Sequence, residues 1–126
     1  MNYEDMSDFE INKRALHFAI ASGLIAYWDR TFYEGEKVFY YGGLDVKEFD
    51  PCNNPSDAWP IIVESKISIS HSIALYRADA LVYDNKFDKG FKIFKQDSQL
   101  GDTSSRGALR AAMICFLKMK DAENDR

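Results

Sequence analysis

The sequence lacks the residues that mark exported, membrane-spanning or disulfide-bonded proteins. It has only two cysteines, Cys52 in a polar stretch and Cys115 in an apolar one, which predicts two free thiols in a reducing compartment. No apolar run approaches the roughly 20 residues that a membrane-spanning helix needs. The first ten residues are acidic where a signal peptide would be basic, so we expect a cytoplasmic location and no membrane association.

A basic excess is also missing. The formal net charge is −4, which argues against a bulk affinity for the phosphates of nucleic acid. The charge is uneven, because residues 1–60 carry 5 basic against 11 acidic side chains and residues 61–126 carry 11 against 9. The sequence is therefore compatible with a moderately basic face in the second half of the chain.

Motifs for metals, nucleotides and cofactors are absent as well. The sequence has no HExxH, no CxxC, no GxxxxGK[ST] and no GxGxxG after a strand. We therefore predict no metal and no cofactor. A nucleophile built from Cys52 and His71, or a carboxylate pair among the acidic residues of 29–48, stays open, but no pattern supports either. We assign no catalytic residue.

The patterns that are present predict one α+β domain. Ser7 and Glu10 form a capping box, which predicts a first helix that stops near Gly23. Strands are predicted within 24–50 and at 66–70, 72–83 and 91–95. A short helix is predicted at 57–65, capped by Ser56 or Asp57 and with Pro60 in its first turn. A last helix is predicted at 106–121. We expect the two terminal helices to pack on one face of an antiparallel sheet of four to five strands.

Three segments carry a family resemblance: MSDFEINKR at 6–14, NNPSDAWPIIVESKISI at 53–69, and RGALRAAMICFLKMKDAEN at 106–124. Together they cover about a third of the chain and resemble the phage NinX-like family, small proteins of tailed phages and prophages of enteric bacteria. The resemblance implies a phage origin and a location in the host cell cytoplasm, and it implies no particular activity. The aromatic segment 24–50 matches none of these motifs.

The turn at 53–60 is the first candidate ligand site. Asn54 and Asp57 offer directed hydrogen bonds, Trp59 offers a stacking face, and the start of a helix offers free N–H groups to an anion. The competing interpretation is a capped turn whose Trp59 anchors the helix in the core, and the routine occurrence of such turns favours it.

The start of the last helix is the second candidate. Ser105, Arg106 and Arg110 offer hydrogen bonds and positive charge to a phosphate or carboxylate, and Gly107 lets a ligand approach the backbone. Capping together with solvated arginines is the simpler interpretation. If this segment and the 53–60 turn converge on one pocket, a small anionic ligand such as a nucleotide fits best.

Lysines recur every three residues between 86 and 95, interleaved with phenylalanines. Basic and aromatic residues in alternation can bind single-stranded nucleic acid. On a strand, however, residues three apart point to opposite faces. An edge hairpin whose lysines discourage aggregation is therefore favoured, and nucleic acid is disfavoured as a partner.

Aromatic residues make up 14% of the chain, and seven of them fall within 27–41. On alternating strands about half would face outward, and exposed rings are enriched at protein interfaces. The leading hypothesis is a non-enzymatic phage accessory protein that binds a host or phage protein. The alternatives are a module that sequesters a small anionic ligand and a small enzyme with an unrecognised site. A homodimer that buries its rings against a second copy is a further expectation.

Overall fold

The computed structural model describes residues 2–25, 30–42, 44–84 and 90–124, with the backbone alone for residues 83, 84, 90, 91 and 124. A short 3-10 turn, Tyr3–Asp5, opens the chain. The elements that follow are α1 (Asp8–Ala21), β1 (Thr31–Glu34), β2 (Lys37–Gly42), β3 (Asp45–Glu48), α2 (Pro55–Glu64), β4 (Ser68–His71), β5 (Tyr76–Asp84), β6 (Gly90–Asp97) and α3 (Ser105–Asn124). The predicted α+β class is confirmed.

The strands form two three-stranded antiparallel sheets, so the predicted single sheet of four to five strands is wrong. Sheet A has the order β1-β2-β3, and sheet B has the order β4-β5-β6. Each sheet joins strands that are neighbours in the chain, and α2 separates β3 from β4. The reason for the error is that alternation assigns a residue to a face but does not say which strand lies beside it.

The first helix begins and ends as predicted. The Ser7 Oγ accepts a hydrogen bond from the N–H of Glu10 at 3.2 Å, which satisfies one of the free donors of the first turn. At the other end, Gly23 has a φ of +78°. That left-handed conformation suits a glycine just past a helix.

The second helix begins two residues earlier than predicted. Its N-cap is Asn54, whose Oδ1 accepts from the N–H of Ser56 at 3.0 Å, so neither Ser56 nor Asp57 caps it. Pro55 is the first helical residue, and Pro60 therefore lies in the second turn and not in the first. An asparagine followed directly by a proline was the stronger start signal, because proline is preset for the first helical position.

The last helix, α3, is the central element of the core. It contacts α1, α2, β5 and β6, and every residue of 107–117 except Arg110 is buried. Phe116 is fully buried and meets the ring of Phe18 edge-on, with 6.4 Å between ring centroids. In the described ranges, no helix is both long enough and apolar enough to cross a membrane.

Both cysteines are free, as predicted, and both lie in this core, although the sequence placed Cys52 in a polar stretch. Burial raises the pKa of both thiols, that of Cys115 to about 12. The thiolate is the reactive form of cysteine. We therefore expect neither thiol to react with the reagent DTNB in the folded protein at neutral pH, and both to react promptly in urea. Mass spectrometry that found either thiol labelled in the folded protein would show that the core opens around it.

Candidate functional site

The turn before α2 meets the first turns of α1 and α3 in a network of polar side chains, called the polar junction below. Its members are Asp8, Asn12, Asp50, Asn53, Asp57, Arg106 and Arg110. The two segments that the sequence singled out therefore touch, through the contact of Asn53 with Arg106, but neither of the clefts described below is lined by both segments. The bonds inside the junction decide which of its groups are available to a ligand.

Asn53 lies at the centre of the polar junction. Its amide nitrogen donates to Asp50 Oδ1 at 3.0 Å and to Asp8 Oδ2 at 3.3 Å, and its Oδ1 accepts from the Nε of Arg106. One side chain thus ties the turn to both α1 and α3. Asn53 was not among the candidate site residues predicted from the sequence.

Asn12 is the buried member of the junction, with 5% of its surface exposed. Its amide nitrogen donates to Asp50 Oδ1 at 2.7 Å, and its Oδ1 accepts from the N–H of the buried Cys52 at 3.2 Å. Asn12 was not predicted as a site residue, although the sequence contains a signal for it. Asn12 occupies the helical position that precedes Ala15 and Leu16 on the buried stripe of α1, so a polar residue there needs internal partners.

Arg110 points into the protein. Its Nη1 lies 2.7 Å from Asp8 Oδ1, and its Nη2 donates to the carbonyls of Met6 at 2.6 Å and Glu4 at 3.2 Å. Only 26% of its side chain is exposed. These contacts fasten the N-terminal segment to α3, so the guanidinium has a structural role whether or not a ligand binds.

Arg106 and Ser105 lie on the outer side of the same helix start. Arg106 is 71% exposed and approaches Asp8 Oδ2 only at 3.9 Å. Ser105 is exposed as well, and the N-cap is instead Ser104, whose Oγ accepts from the N–H of Gly107 at 3.1 Å. Of the two predicted arginines, only Arg106 presents most of its side chain to solvent.

Asp57 is tied to the turn in front of α2. Its Oδ2 accepts from the N–H of Asp50 at 2.9 Å. Burial raises the pKa of the Asp57 carboxyl, and the nearby charges of Asp50 and Glu48 add to this, whereas the backbone hydrogen bond acts in the opposite direction. Both Asn54, the cap of α2, and Asp57 therefore shape the turn.

Trp59 stands in solvent and does not anchor α2 to the core, so that interpretation is wrong. Its side chain is 65% exposed, and Val63, one turn later, is 52% exposed. Pro60 between them is exposed too. The core contacts of α2 come from Ala58, Ile61 and Ile62 on its other side. Trp59, Pro60 and Val63 are called the Trp59 face below.

Two of the clefts that border the polar junction are lined by Asp8. One, of about 300 Å³, is lined by Asp8, Asp102, Ser104, Arg106, Gly107 and Arg110. The other, of about 550 Å³, lies between the start of α1 and the β1–β2 turn, and five carboxylates and a single lysine contribute to its lining. Neither cleft has the cationic excess that would attract an anion. In the described ranges, no group of three or more histidine, cysteine, aspartate or glutamate side chains is placed to hold a metal.

The pairing of Cys52 with His71 as a nucleophile gains no support from the structure. A reactive cysteine needs a lowered pKa and access to substrate. Cys52 is buried and its pKa is raised. His71 lies at the exposed end of β4, where its ring meets that of Tyr76.

The aromatic residues of sheet A divide between its two faces. Val38 and Tyr40 face the core, and Tyr33 on the same face meets Phe9 of α1. Phe32, Phe39 and Tyr41 lie on the outward face; the rings of residues 27 and 28 fall outside the described residues. Of the four recurring lysines, Lys92 and Lys95 lie on opposite faces of β6 as predicted, and the other two fall outside the described ranges.

The fold and its surfaces define a small α+β protein whose polar junction is largely bonded internally and which exposes apolar side chains on α2 and on both sheets. The chain belongs to the bacteriophage P22 NinX family, since the family model matches residues 2–120. This confirms the resemblance found from three short segments, and the match also runs through the aromatic segment 24–50. Neither a search of curated proteins nor a search of solved structures finds a significant match.

Proposed function

We propose that this chain is a non-enzymatic phage accessory protein that acts in the host cytoplasm by binding a host or phage protein through the Trp59 face. The observation that carries the proposal is the exposed indole of Trp59, 65% open to solvent on an ordered helix. Exposing a tryptophan gives up the favourable free energy of burying a large ring. Tryptophan is also the residue type most enriched among side chains that dominate protein–protein binding.

The Trp59 face has the composition of an interface centre. Three apolar side chains lie together on one side of α2, with the opposite side fixed to the core through Ala58 and Ile61. A rigid helix that presents an aromatic anchor loses little conformational entropy on binding. We expect the partner to supply an apolar pocket for the indole ring and an acceptor for its N–H.

A small anionic ligand receives less support than a protein partner. Three hydrogen bonds of Arg110 go to Asp8 and to backbone carbonyls, so this arginine is not free to turn toward a phosphate. In the cleft of about 300 Å³, two aspartates balance the two arginines. The exposed Arg106 would remain as the main cation for such a ligand.

Site-specific photocrosslinking in phage-infected host cells tests the proposal. A benzoylphenylalanine in place of Val63, next to Trp59, is expected to capture one defined protein, identified by mass spectrometry. The matched control carries the crosslinker in place of Ile93, an exposed apolar residue on sheet B. Capture of the same proteins from both positions, or of none from position 63, would contradict the proposal.

Direct binding to the captured protein then gives the energetic test. Trp59→Ala is expected to weaken binding by about 2 kcal/mol or more, as for interface anchors in general. Because the side chain is mostly exposed, its loss should change the free energy of unfolding by less than about 1 kcal/mol. Leu81→Ala, which removes an exposed side chain of sheet B, serves as the control and should bind like the parent. Equal binding by both variants would remove Trp59 from the interface.

A further inference from the structure

Two loops meet at the end of sheet B where β5 begins and β6 ends. The N–H of Gly101, between β6 and α3, donates to the carbonyl of Ala74, between β4 and β5, at 2.7 Å. The residues that precede these two are aliphatic and open to solvent, since Ile73 is fully exposed and Leu100 is 83% exposed. Backbone geometry keeps their Cα atoms within roughly 12 Å of each other. Ile73 and Leu100 are called the aliphatic tip below.

Hydrogen bonds hold both loops of the aliphatic tip in place. In the β4–β5 turn, the Oγ of Ser72 accepts from the N–H of Ala74 at 3.2 Å. In the other loop, the Oγ of Ser98 accepts from the N–H of Tyr76 at 3.0 Å and donates to the carbonyl of Asp102 at 2.9 Å. The tip is therefore presented on a fixed backbone, which lowers the entropy cost of binding a partner.

An acidic cleft adjoins the aliphatic tip. The cleft has a volume of about 490 Å³, and Leu100 lies in its lining. Four carboxylates and one guanidinium contribute to the same lining, and they belong to Glu4, Asp5, Asp97, Asp102 and Arg110. The surface beside the tip thus carries more negative than positive charge.

The cations at the acidic cleft are already engaged. Arg110 pairs with Asp8 at 2.7 Å. Arg77, close to the tip on β5, pairs with Asp97 at 2.6 Å. Lys118 donates to an amide oxygen of the lining, and the carboxylates still remain in excess. In the part of the chain that the structure describes, the other carboxylates of the lining form no ion pair, namely those of Glu4, Asp5 and Asp102.

We infer that the aliphatic tip and the acidic cleft together bind a protein that presents an apolar groove with lysine or arginine side chains beside it. Burial of the two aliphatic side chains supplies favourable free energy, and the opposite charges speed association and exclude other partners. Nucleic acid and an anionic membrane surface carry the same sign of charge as the cleft, so both are repelled. The tip shares no residue with the Trp59 face, and the inference stands independently of the proposed function.

Photocrosslinking in phage-infected host cells is the first part of the test. A benzoylphenylalanine in place of Ile73 is expected to form a crosslink that mass spectrometry maps to one protein, at an apolar site beside lysine or arginine residues. The control carries the crosslinker in place of Ile93, on the outward face of sheet B. No crosslink from position 73, the same crosslinks from both positions, or a crosslink to an acidic site would overturn the inference.

Binding of the purified chain to that protein is the second part. Ile73→Ala and Leu100→Ala are each expected to weaken binding by about tenfold, because each removes an aliphatic side chain that the groove would bury. Neither should alter the midpoint of urea unfolding, since both side chains are exposed. Leu81→Ala is the control and should bind like the parent. If the two tip variants also bind like the parent, the tip is not part of the interface.

A charge reversal tests the acidic cleft separately from the tip. Asp5 is exposed, and Asp5→Lys is expected to weaken binding by about tenfold at low salt and by less at high salt, because salt screens the lost attraction. Glu36→Lys makes the same change of charge in the β1–β2 turn and should bind like the parent. Equal effects of the two reversals would show that only the net charge of the chain matters, and the inference would be wrong.

Vesicles of phosphatidylglycerol distinguish a protein partner from a membrane. The full chain is expected not to sediment with them. Sedimentation with these vesicles that Ile73→Ala abolishes would identify a lipid surface as the occupant of the tip and would overturn the inference of a basic protein partner.

Discussion

Replacing Arg110 with alanine is expected to lower the free energy of unfolding by about 2–3 kcal/mol. The change removes the ion pair with Asp8 and leaves the carbonyls of Met6 and Glu4 without their donor. Hydrogen bonds to charged groups contribute more than neutral ones, and an acceptor left without a partner in a partly buried site adds to the loss. The measurement is urea unfolding, with a decrease in the midpoint at an unchanged slope.

Arg106→Ala provides the matched control, one helical turn earlier in α3. Its side chain is 71% exposed and lies 3.9 Å from the same Asp8. Exposed ion pairs contribute little, and its one hydrogen bond, to the Oδ1 of Asn53, is at an exposed site, so its loss should cost about 1 kcal/mol at most. Equal effects from the two arginines would mean that Arg110 does not fasten the N-terminal segment as its contacts indicate.

Replacing Asn12 with alanine is expected to lower the free energy of unfolding by about 2–3 kcal/mol as well. The N–H of Cys52 would be left in the core without an acceptor, and Asp50 would lose the donor at 2.7 Å. A buried donor without a partner bears its full desolvation cost. Thermal or urea unfolding measures the change.

Asn54→Ala is the comparison for Asn12, because it removes an asparagine from the same region without emptying a buried site. It eliminates the cap of α2 on an exposed surface. Loss of an N-cap typically costs about 1 kcal/mol. A loss at Asn54 that equals or exceeds the loss at Asn12 would contradict the buried role of Asn12.

Local sequence signals were sufficient to predict the helices whose limits depend on residues close together in the chain. Ser7 and Glu10 gave the start of α1 because a capping box lies within four residues of chain. The helical spacing of apolar residues predicted α3 in the same way. Strand partnership depends on contacts distant in sequence, so the division into sheets A and B could not be inferred from alternation.

The sites were harder to predict than the elements. Trp59 was expected in the core because polar turn residues commonly lie beside a buried aromatic, but the helical period places Ala58, Ile61 and Ile62 inward and leaves Trp59 outward. Arg110 was predicted to be either a ligand group or, more simply, a solvated side chain, because its partners, Asp8 and the carbonyls of the first residues, lie more than 100 positions away in the chain. Long-range polar contacts of this kind leave no local pattern.

The protein's interaction with its partner can be followed most directly through the emission of Trp59 itself. The chain has two tryptophans, so Trp28→Phe leaves Trp59 as the sole reporter. We predict that acrylamide quenches this emission freely in the isolated chain, and that the protein captured at position 63 shifts the emission to shorter wavelength and protects it from quenching. Quenching that stays the same when that protein is bound would contradict the proposal that α2 is the binding surface.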